Sequence, residues 1–287
     1  PEMLKVHLRY TYDRNAARNF ALEIELERCL MALNQKGIQA MLLKGAITFV
    51  KPIYPHAGLR FLSDIDFLVK SQEFAKAVTI LEDLGYTSDG DYLLSHHHHQ
   101  SFTHQTGGFI ELHHCPVSLR YADWIDLESW WAEADAVTLG KASALVPSPE
   151  HQMLHLLLHN GMSHYGRLLS HIGRQLDFAL NVEFYRNEIE WETIGKRIGL
   201  LKLLEVYLYL AHKNLGVKLP YRLHAKVVQL QSYLGYIDKI SRAPAWSHYV
   251  NGCLFNALVK SDNGFDFLKI SMTFSFTGHS LTRAEGK

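Results

Sequence analysis

An α+β domain built on a small mixed sheet, followed by an all-α domain, is the fold class this sequence predicts. Three observations carry it. Short apolar runs alternate with helical patterns up to about residue 114, which is the signature of strands interleaved with helices. The segment Val146-Pro147-Ser148-Pro149-Glu150 then breaks the chain, because prolines favour extended backbone, Ser148 can cap a helix and Pro149 suits a first helical turn. After it, Leu154, Leu157 and Leu158, then Leu168, Leu169, Ile172, Leu176 and Ala179 or Leu180, then Leu200 to Leu210 recur at helical spacing with no convincing strand between them. Residues 1–146 are therefore assigned to the first domain, with its N-terminal helix, and 147–287 to the helical one.

In chain order, Leu22, Leu26, Cys29 or Leu30, and Leu33 share one helical face and Gly37 follows as a stop, so a helix is expected from about 14 to 36. Ile38 to Leu43 has the composition of a buried strand. Gly45 to Phe49 can start a helix, which Pro52 would disturb by removing a donor. Tyr54 to Leu59, with Pro55 and Gly58, is a loop. It leads into Leu62-Ser63-Asp64-Ile65-Asp66-Phe67-Leu68-Val69, where a period of two puts Asp64 and Asp66 on one face and Ile65, Phe67 and Val69 on the other. Phe74, Ala77 or Val78, Leu81 and Leu84 follow helical spacing between Ser71 and Gly85. From about Ser101 to His114, two candidate strands flank Thr106-Gly107-Gly108 and form a hairpin whose second strand carries Glu111. No repeat of 20 to 50 residues is present.

The acids point to chemistry. Two ionised carboxylates side by side repel, and the repulsion is relieved by shared divalent cations, since Mg²⁺ takes oxygen ligands from one or two carboxylates plus substrate phosphates. An Asp-x-Asp strand alone is also compatible with a solvated strand edge. Glu111, in Phe109-Ile110-Glu111-Leu112-His113, supplies a third acid in a matching setting.

Lys44-Gly45 at a strand-to-helix turn, then Arg60, then Asp64-Ile65-Asp66, then Glu111-Leu112-His113 resemble the nucleotidyltransferase superfold related to DNA polymerase β. More narrowly, they resemble its bacterial branch labelled "uncharacterised nucleotidyltransferase", over about Leu22 to Asp177. One departure is clear: the superfamily commonly has Gly-Ser or Gly-Gly after the first strand, and this chain has Lys44-Gly45-Ala46. The resemblance implies transfer of a nucleoside monophosphate from a nucleoside triphosphate (NTP) to an acceptor hydroxyl, with release of pyrophosphate. Asp64 and Asp66 would bridge two Mg²⁺ ions (or Mn²⁺) about 3.5 to 4 Å apart, and Glu111 would bind the one nearer the acceptor and accept its proton. Gly45 would let backbone approach the triphosphate, with amides of the following helix start as donors; Lys44 and Arg60 would neutralise phosphate charge. For Lys44, pairing with one of the acids is an equal alternative. Asp177, three residues after Arg174 on a helix, is either half of a salt bridge or, by the resemblance, a group facing the nucleotide. The nucleotide is expected in the cleft between the two domains.

Eighteen histidines are many for 287 residues. His96 to His99, followed by His104, His113 and His114, suggest an exposed loop with affinity for soft metals, or a contribution to the acceptor or nucleotide site. His151, His155 and His159 share a helical face and could bind Zn²⁺, but no glutamate sits next to His155 as in the His-Glu-x-x-His motif. In the resembling family a histidine-bearing helix follows the linker, which implies that His155 and His159 pack at the interdomain cleft. Two competing functions follow: a catalytically silent nucleotide-binding or interaction protein, and a histidine-based metallohydrolase. Trp124, Trp130 and Trp131 are expected to pack rather than stack bases.

Composition limits the partners. Lys plus Arg equals Asp plus Glu at 29 each, so no global positive field exists to hold a long nucleic acid, and the acceptor is expected to be a small molecule or protein. An apolar fraction of 47% with 20% charged residues excludes wholesale disorder. No apolar run approaches the ~20 residues that span a bilayer, and no signal-peptide layout is seen at the N-terminus. Cys29, Cys115 and Cys253, few and widely spaced, argue for a reducing compartment, and a cytoplasmic location is expected.

Overall fold

The computed structural model describes residues 2–88, 97–105, 108–163, 172–191, 193–194, 200–231 and 234–235. His96, Thr106, Gly107, Leu168, Leu169 and Cys253 lie outside them, as does most of the C-terminal third of the expected helical domain. The chain divides into two compact units, Pro1–His155 and Leu156–Lys287. That division falls nine residues beyond the expected one at 146/147, inside a helix.

The first unit is built on a seven-stranded mixed sheet in the order β3-β4-β5-β2-β1-β7-β6. Its strands are β1 (Met41–Leu42), β2 (Ile65–Leu68), β3 (Tyr86–Ser88), β4 (His99–His104), β5 (Phe109–His113), β6 (Asp135–Leu139) and β7 (Ala142–Val146). The expected hairpin forms as β4 against β5, with His99 opposite His113 and Thr103 opposite Phe109. The pairing that matters for function is β2 with β5, which is parallel and sets Asp66 beside Glu111. β1 runs antiparallel to β2 and parallel to β7. Ile65, Phe67, Leu68, Ile110 and Leu112 are fully buried, so the strand pair that carries the acids is fixed by its apolar side chains.

Helix α1 (Glu2–Gln35) is much longer than the expected 14 to 36, because no proline or glycine interrupts residues 2–35. Its buried stripe is the expected one: Leu22, Leu26, Cys29, Leu30 and Leu33. α1 also settles the path of the segment before β2. Buried Asn19 donates through Nδ2 to the carbonyls of Ala57 (2.7 Å) and Arg60 (2.8 Å), and Asn15 Nδ2 donates to the Gly58 carbonyl. Gly58 lies so close to α1 that a Cβ there would meet the Tyr12 carbonyl oxygen at 2.6 Å. Helix α2 (Phe74–Asp83) buries Phe74, Ala77, Ile80 and Leu81, as its spacing predicts.

Four expectations change. The strand expected over Ile38–Leu43 is only two residues long. The helix after Gly45 is a 3-10 turn over Lys44–Phe49, in which the Ala46 amide is already bonded to the Leu43 carbonyl. The proline-bounded segment is a tight strand-to-helix turn: Val146 ends β7, and Pro149 opens α4 (Pro149–Leu157). The β6–β7 hairpin and the short helix α3 (Leu127–Ala132) were not anticipated. β6 alternates weakly, with most of its residues exposed, so its period-two signal is faint.

In the second unit, α5 (Ile172–Phe184) packs on α6 (Leu201–Leu215) through an edge-to-face contact of Phe178 with Tyr207 and an Asn214 to Gln175 hydrogen bond of 2.8 Å. Gly216, with φ of +71°, ends α6. The described residues of this unit contain no strand. Among the described residues, no helix is long and apolar enough to cross a membrane.

Candidate active site

The parallel register of β2 and β5 turns two distant acids into neighbours on one sheet face. Asp66 is buried, and Glu111 keeps 18% of its side chain exposed. Between them lies the ammonium of Lys44, whose Nζ is 2.5 Å from Asp66 Oδ1 and 3.1 Å from Glu111 Oε2. Lys44 reaches this position from an unusual backbone. Its φ of +48° is left-handed, a conformation that costs a non-glycine residue on the order of 1 kcal/mol. The Leu43 amide, bonded to the Asp66 carbonyl, holds the turn against β2.

His113 completes the cluster. It is fully buried, two residues after Glu111 and so on the same face, and its Nε2 lies 3.0 Å from Asp66 Oδ1 and 3.5 Å from Glu111 Oε2. One ligand atom from each of Asp66, Glu111 and His113 lies within 4.8 Å of the others. Asp64 precedes β2, is half-buried and accepts a hydrogen bond from the Ser63 hydroxyl at 3.0 Å. It is outside that compact group, though close enough to feel the charges of Asp66, Glu111 and Lys44.

These contacts decide protonation. Burial works against the charge of Lys44, but Asp66 and Glu111 outweigh it and hold the ammonium above its ordinary range. Burial likewise pushes Glu111 up, and the His113 hydrogen bond and the Lys44 charge overcome it, keeping the carboxyl far below its usual range. Asp64 moves the other way: burial, then the charge of Asp66, raise it. Next to Glu111, His98 and His99 are pushed down to about 3 and about 4, first by burial and then by His113.

Two of the phosphate-binding candidates, Gly45 and Arg60, are close by. Gly45 is in contact with Arg60 and Leu62, and a Cβ on it would meet Leu62 Cδ2 at 2.5 Å and an Arg60 guanidinium nitrogen at 2.7 Å. Arg60 is half-buried, with its guanidinium 5.7 Å from the Tyr54 ring centre. Asp177 is half-buried on α5 of the second unit, and its carbonyl accepts from Asn181.

The histidines divide differently from expectation. His99 begins β4 and His98 precedes it, both half-buried against Glu111 and His113, so this part of the run is not an exposed loop. His151 is bound to Ser148 Oγ (3.0 Å) and Ser129 Oγ (3.3 Å) and stacks on buried Trp130. Among the described residues, no group of metal-ligand atoms includes His151, His155 or His159. Sequence reasoning did not assign His113 and His99 to the acids. The signal was present: period two from Glu111 reaches His113, and the hairpin register then reaches His99.

The profile of the family described as "Uncharacterised nucleotidyltransferase" matches residues 1–216. The chain belongs to that family. It is therefore a transferase of nucleotidyl groups, and the acid-bearing strands β2 and β5 fall within the matched span. No curated protein matches the sequence. Similar solved structures include the lincomycin-bound lincosamide antibiotic adenylyltransferase LnuA, at 18% identity over 45% of this chain and 82% of that one, with a TM-score of 0.34. The antibiotic-resistance factor ANT(2'')-Ia is similar at 12% identity over 69% and 99%, with a TM-score of 0.46. An antigenic nucleotidyltransferase-like protein from Paracoccidioides brasiliensis is similar at 16% over 64% and 92%, with a TM-score of 0.40. These similarities are too distant to bring a substrate with them.

Proposed function

We propose that this nucleotidyltransferase moves a nucleoside monophosphate from an NTP to a hydroxyl of a small-molecule or protein acceptor, releasing pyrophosphate, with a divalent cation held by Asp66 and Glu111. The observation that carries this reading is the register of β2 with β5, which sets the two carboxylates side by side. The donor set fits. Lys44 already brings a positive charge to within 2.5 and 3.1 Å of both acids, and oxygen ligands suit Mg²⁺ or Mn²⁺. Once bound, such a cation supplies Lewis-acid stabilisation of the phosphoryl oxygens.

The remaining roles belong to the chain itself. Asp64 is the third acid of the set, half-exposed at the mouth of β2. His113, in contact with Asp66 Oδ1, fixes the orientation of that carboxylate, as an outer partner of a ligand does. The strongly acidic character of Glu111 suits a ligand that stays charged better than a base that takes a proton. Lys44 pairs with the same two carboxylates that would hold the cation, so with a cation there its ammonium would be available to the phosphates. Arg60, beside Gly45, is the second phosphate contact and is suited to a bidentate one.

The test is label transfer from an α-³²P-labelled NTP to fractions of a bacterial lysate. Label should appear in an acceptor only with Mg²⁺ or Mn²⁺, and Asp66→Ala should abolish it in a protein that still folds. Transfer by Asp66→Ala at the wild-type rate would remove the mechanism. Binding without any transfer would favour a silent nucleotide-binding protein.

A further inference from the structure

We propose that His98, His99 and His113 form a site for one transition-metal ion of the Zn²⁺ type, chemically distinct from the carboxylate seat beside it, with which it shares His113. A ring nitrogen from each of the three lies within 4.8 Å of the others. One edge is already formed: His98 Nε2 and His99 Nδ1 are 3.2 Å apart. With Zn–N bonds of about 2.0 to 2.1 Å, two ligands of a tetrahedral ion are separated by about 3.3 Å.

The site is built into the sheet rather than hung on a loop. His99 lies directly opposite His113 in the β4–β5 ladder, and the His98 carbonyl accepts from the amides of His114 (3.1 Å) and Cys115 (3.3 Å). His113 is fully buried, and its Nδ1 has no hydrogen-bond partner, an orphan that a metal or a proton-sharing ligand would satisfy. Glu111 Oε1 lies 3.8 Å from His99 Nε2, the ring nitrogen that an ion at Nδ1 leaves free, which is the place of an outer partner that orients a metal-bound imidazole. The Lys44 ammonium opposes a cation here, and the negative charges of Asp66 and Glu111 favour one. Imidazole is a ligand for zinc, copper, iron and nickel, whereas Mg²⁺ prefers oxygen, so ligand softness separates this site from its neighbour.

The experiment uses the full chain without a polyhistidine tag, stripped with a chelator and titrated with Co²⁺. One equivalent should bind with the intense visible bands of a tetrahedral site, and one equivalent of Zn²⁺ should displace it. His98→Gln and His99→Gln should each weaken Co²⁺ binding at least tenfold, while His97→Gln, at an exposed position of the same run, should change it less than twofold. Circular dichroism and melting of each variant verify the fold, and either of the two site variants is sufficient on its own. Equal loss in His97→Gln would mean adventitious chelation by the histidine run. Displacement of Co²⁺ by millimolar Mg²⁺ would put the ion on the carboxylates. Either result, or an absence of saturable binding, overturns the proposal.

Discussion

Replacing Lys44 with Met removes the ammonium that pairs with Asp66 and Glu111 while keeping an unbranched side chain of similar length. Breaking a buried ion pair from one side costs about 3 to 5 kcal/mol, since the partner is left charged and unpaired. Lys44 and Glu111 each retain 18% exposure, so the lower end applies, about 3 kcal/mol. In a unit of this size, 1 kcal/mol moves the midpoint by about 2 to 4 °C, and Lys44→Met should therefore melt roughly 6 to 12 °C below wild type. Mg²⁺ should reverse the loss. A ligand at a hundred times its Kd stabilises by about 2.7 kcal/mol, and in the variant it enters a vacated seat, whereas in wild type it must displace the ammonium. Differential scanning fluorimetry with and without Mg²⁺ should show a larger Mg²⁺ shift in the variant than in wild type. The pH dependence has a defined sign. The Glu111 contribution is present above its ordinary value of 4.5 and is lost as pH falls through its lowered folded value. The Lys44 contribution is present below 10.5 and is lost as pH rises through its raised one. The gap between the proteins should therefore hold from about pH 5 to pH 10 and close in acid. A variant that melts within a degree of wild type, or an equal Mg²⁺ shift in both, would refute the argument that the ammonium occupies the cation seat.

Glu111→Gln keeps the shape of the side chain and removes its charge, so triphosphate binding should survive while label transfer falls at least a hundredfold; equal transfer would take Glu111 out of the site. Arg60→Ala removes a charge-assisted contact worth about 1.5 to 3 kcal/mol, which predicts roughly ten- to a hundredfold weaker binding of a non-hydrolysable triphosphate by calorimetry. Unchanged affinity would leave Arg60 a structural role against Gly45. His155 is held neutral, foremost by burial and then by the charge of Lys44, so the folded state resists a proton that the unfolded chain accepts near pH 6.5. Its contribution is present above that value and lost below it, by about 1.4 kcal/mol at pH 5.5. His155→Phe should lose that much less stability than wild type between pH 7.5 and 5.5 in urea unfolding, and an identical pH dependence would show that His155 is not the group that titrates.

Elements with local signals are legible in the amino-acid order. The apolar run around Asp64-Ile65-Asp66 marks β2, which is buried on both faces, helical spacing with Ser71 and Gly85 brackets α2, and the glycines after Gln105 place the β4–β5 hairpin. The ordered set Lys44-Gly45, Arg60, Asp64-Asp66 and Glu111 also pointed to the family that the profile match establishes. Adjacency, by contrast, emerges only on folding. A period of two says which face a side chain takes and not which strand lies beside it, and parallel neighbours are joined by long crossovers that leave no local mark. Hence the meeting of Asp66 with Glu111, and of both with His113, follows from the pairing of β2 with β5. The same holds for Lys44: its charge was visible in the sequence, but its left-handed backbone and its place between two acids depend on a turn held by the Leu43 to Asp66 hydrogen bond. The histidine run, repetitive and polar, carries no signal that separates exposed His97 from half-buried His98 and His99, because that difference arises only when the ladder sets His99 opposite His113.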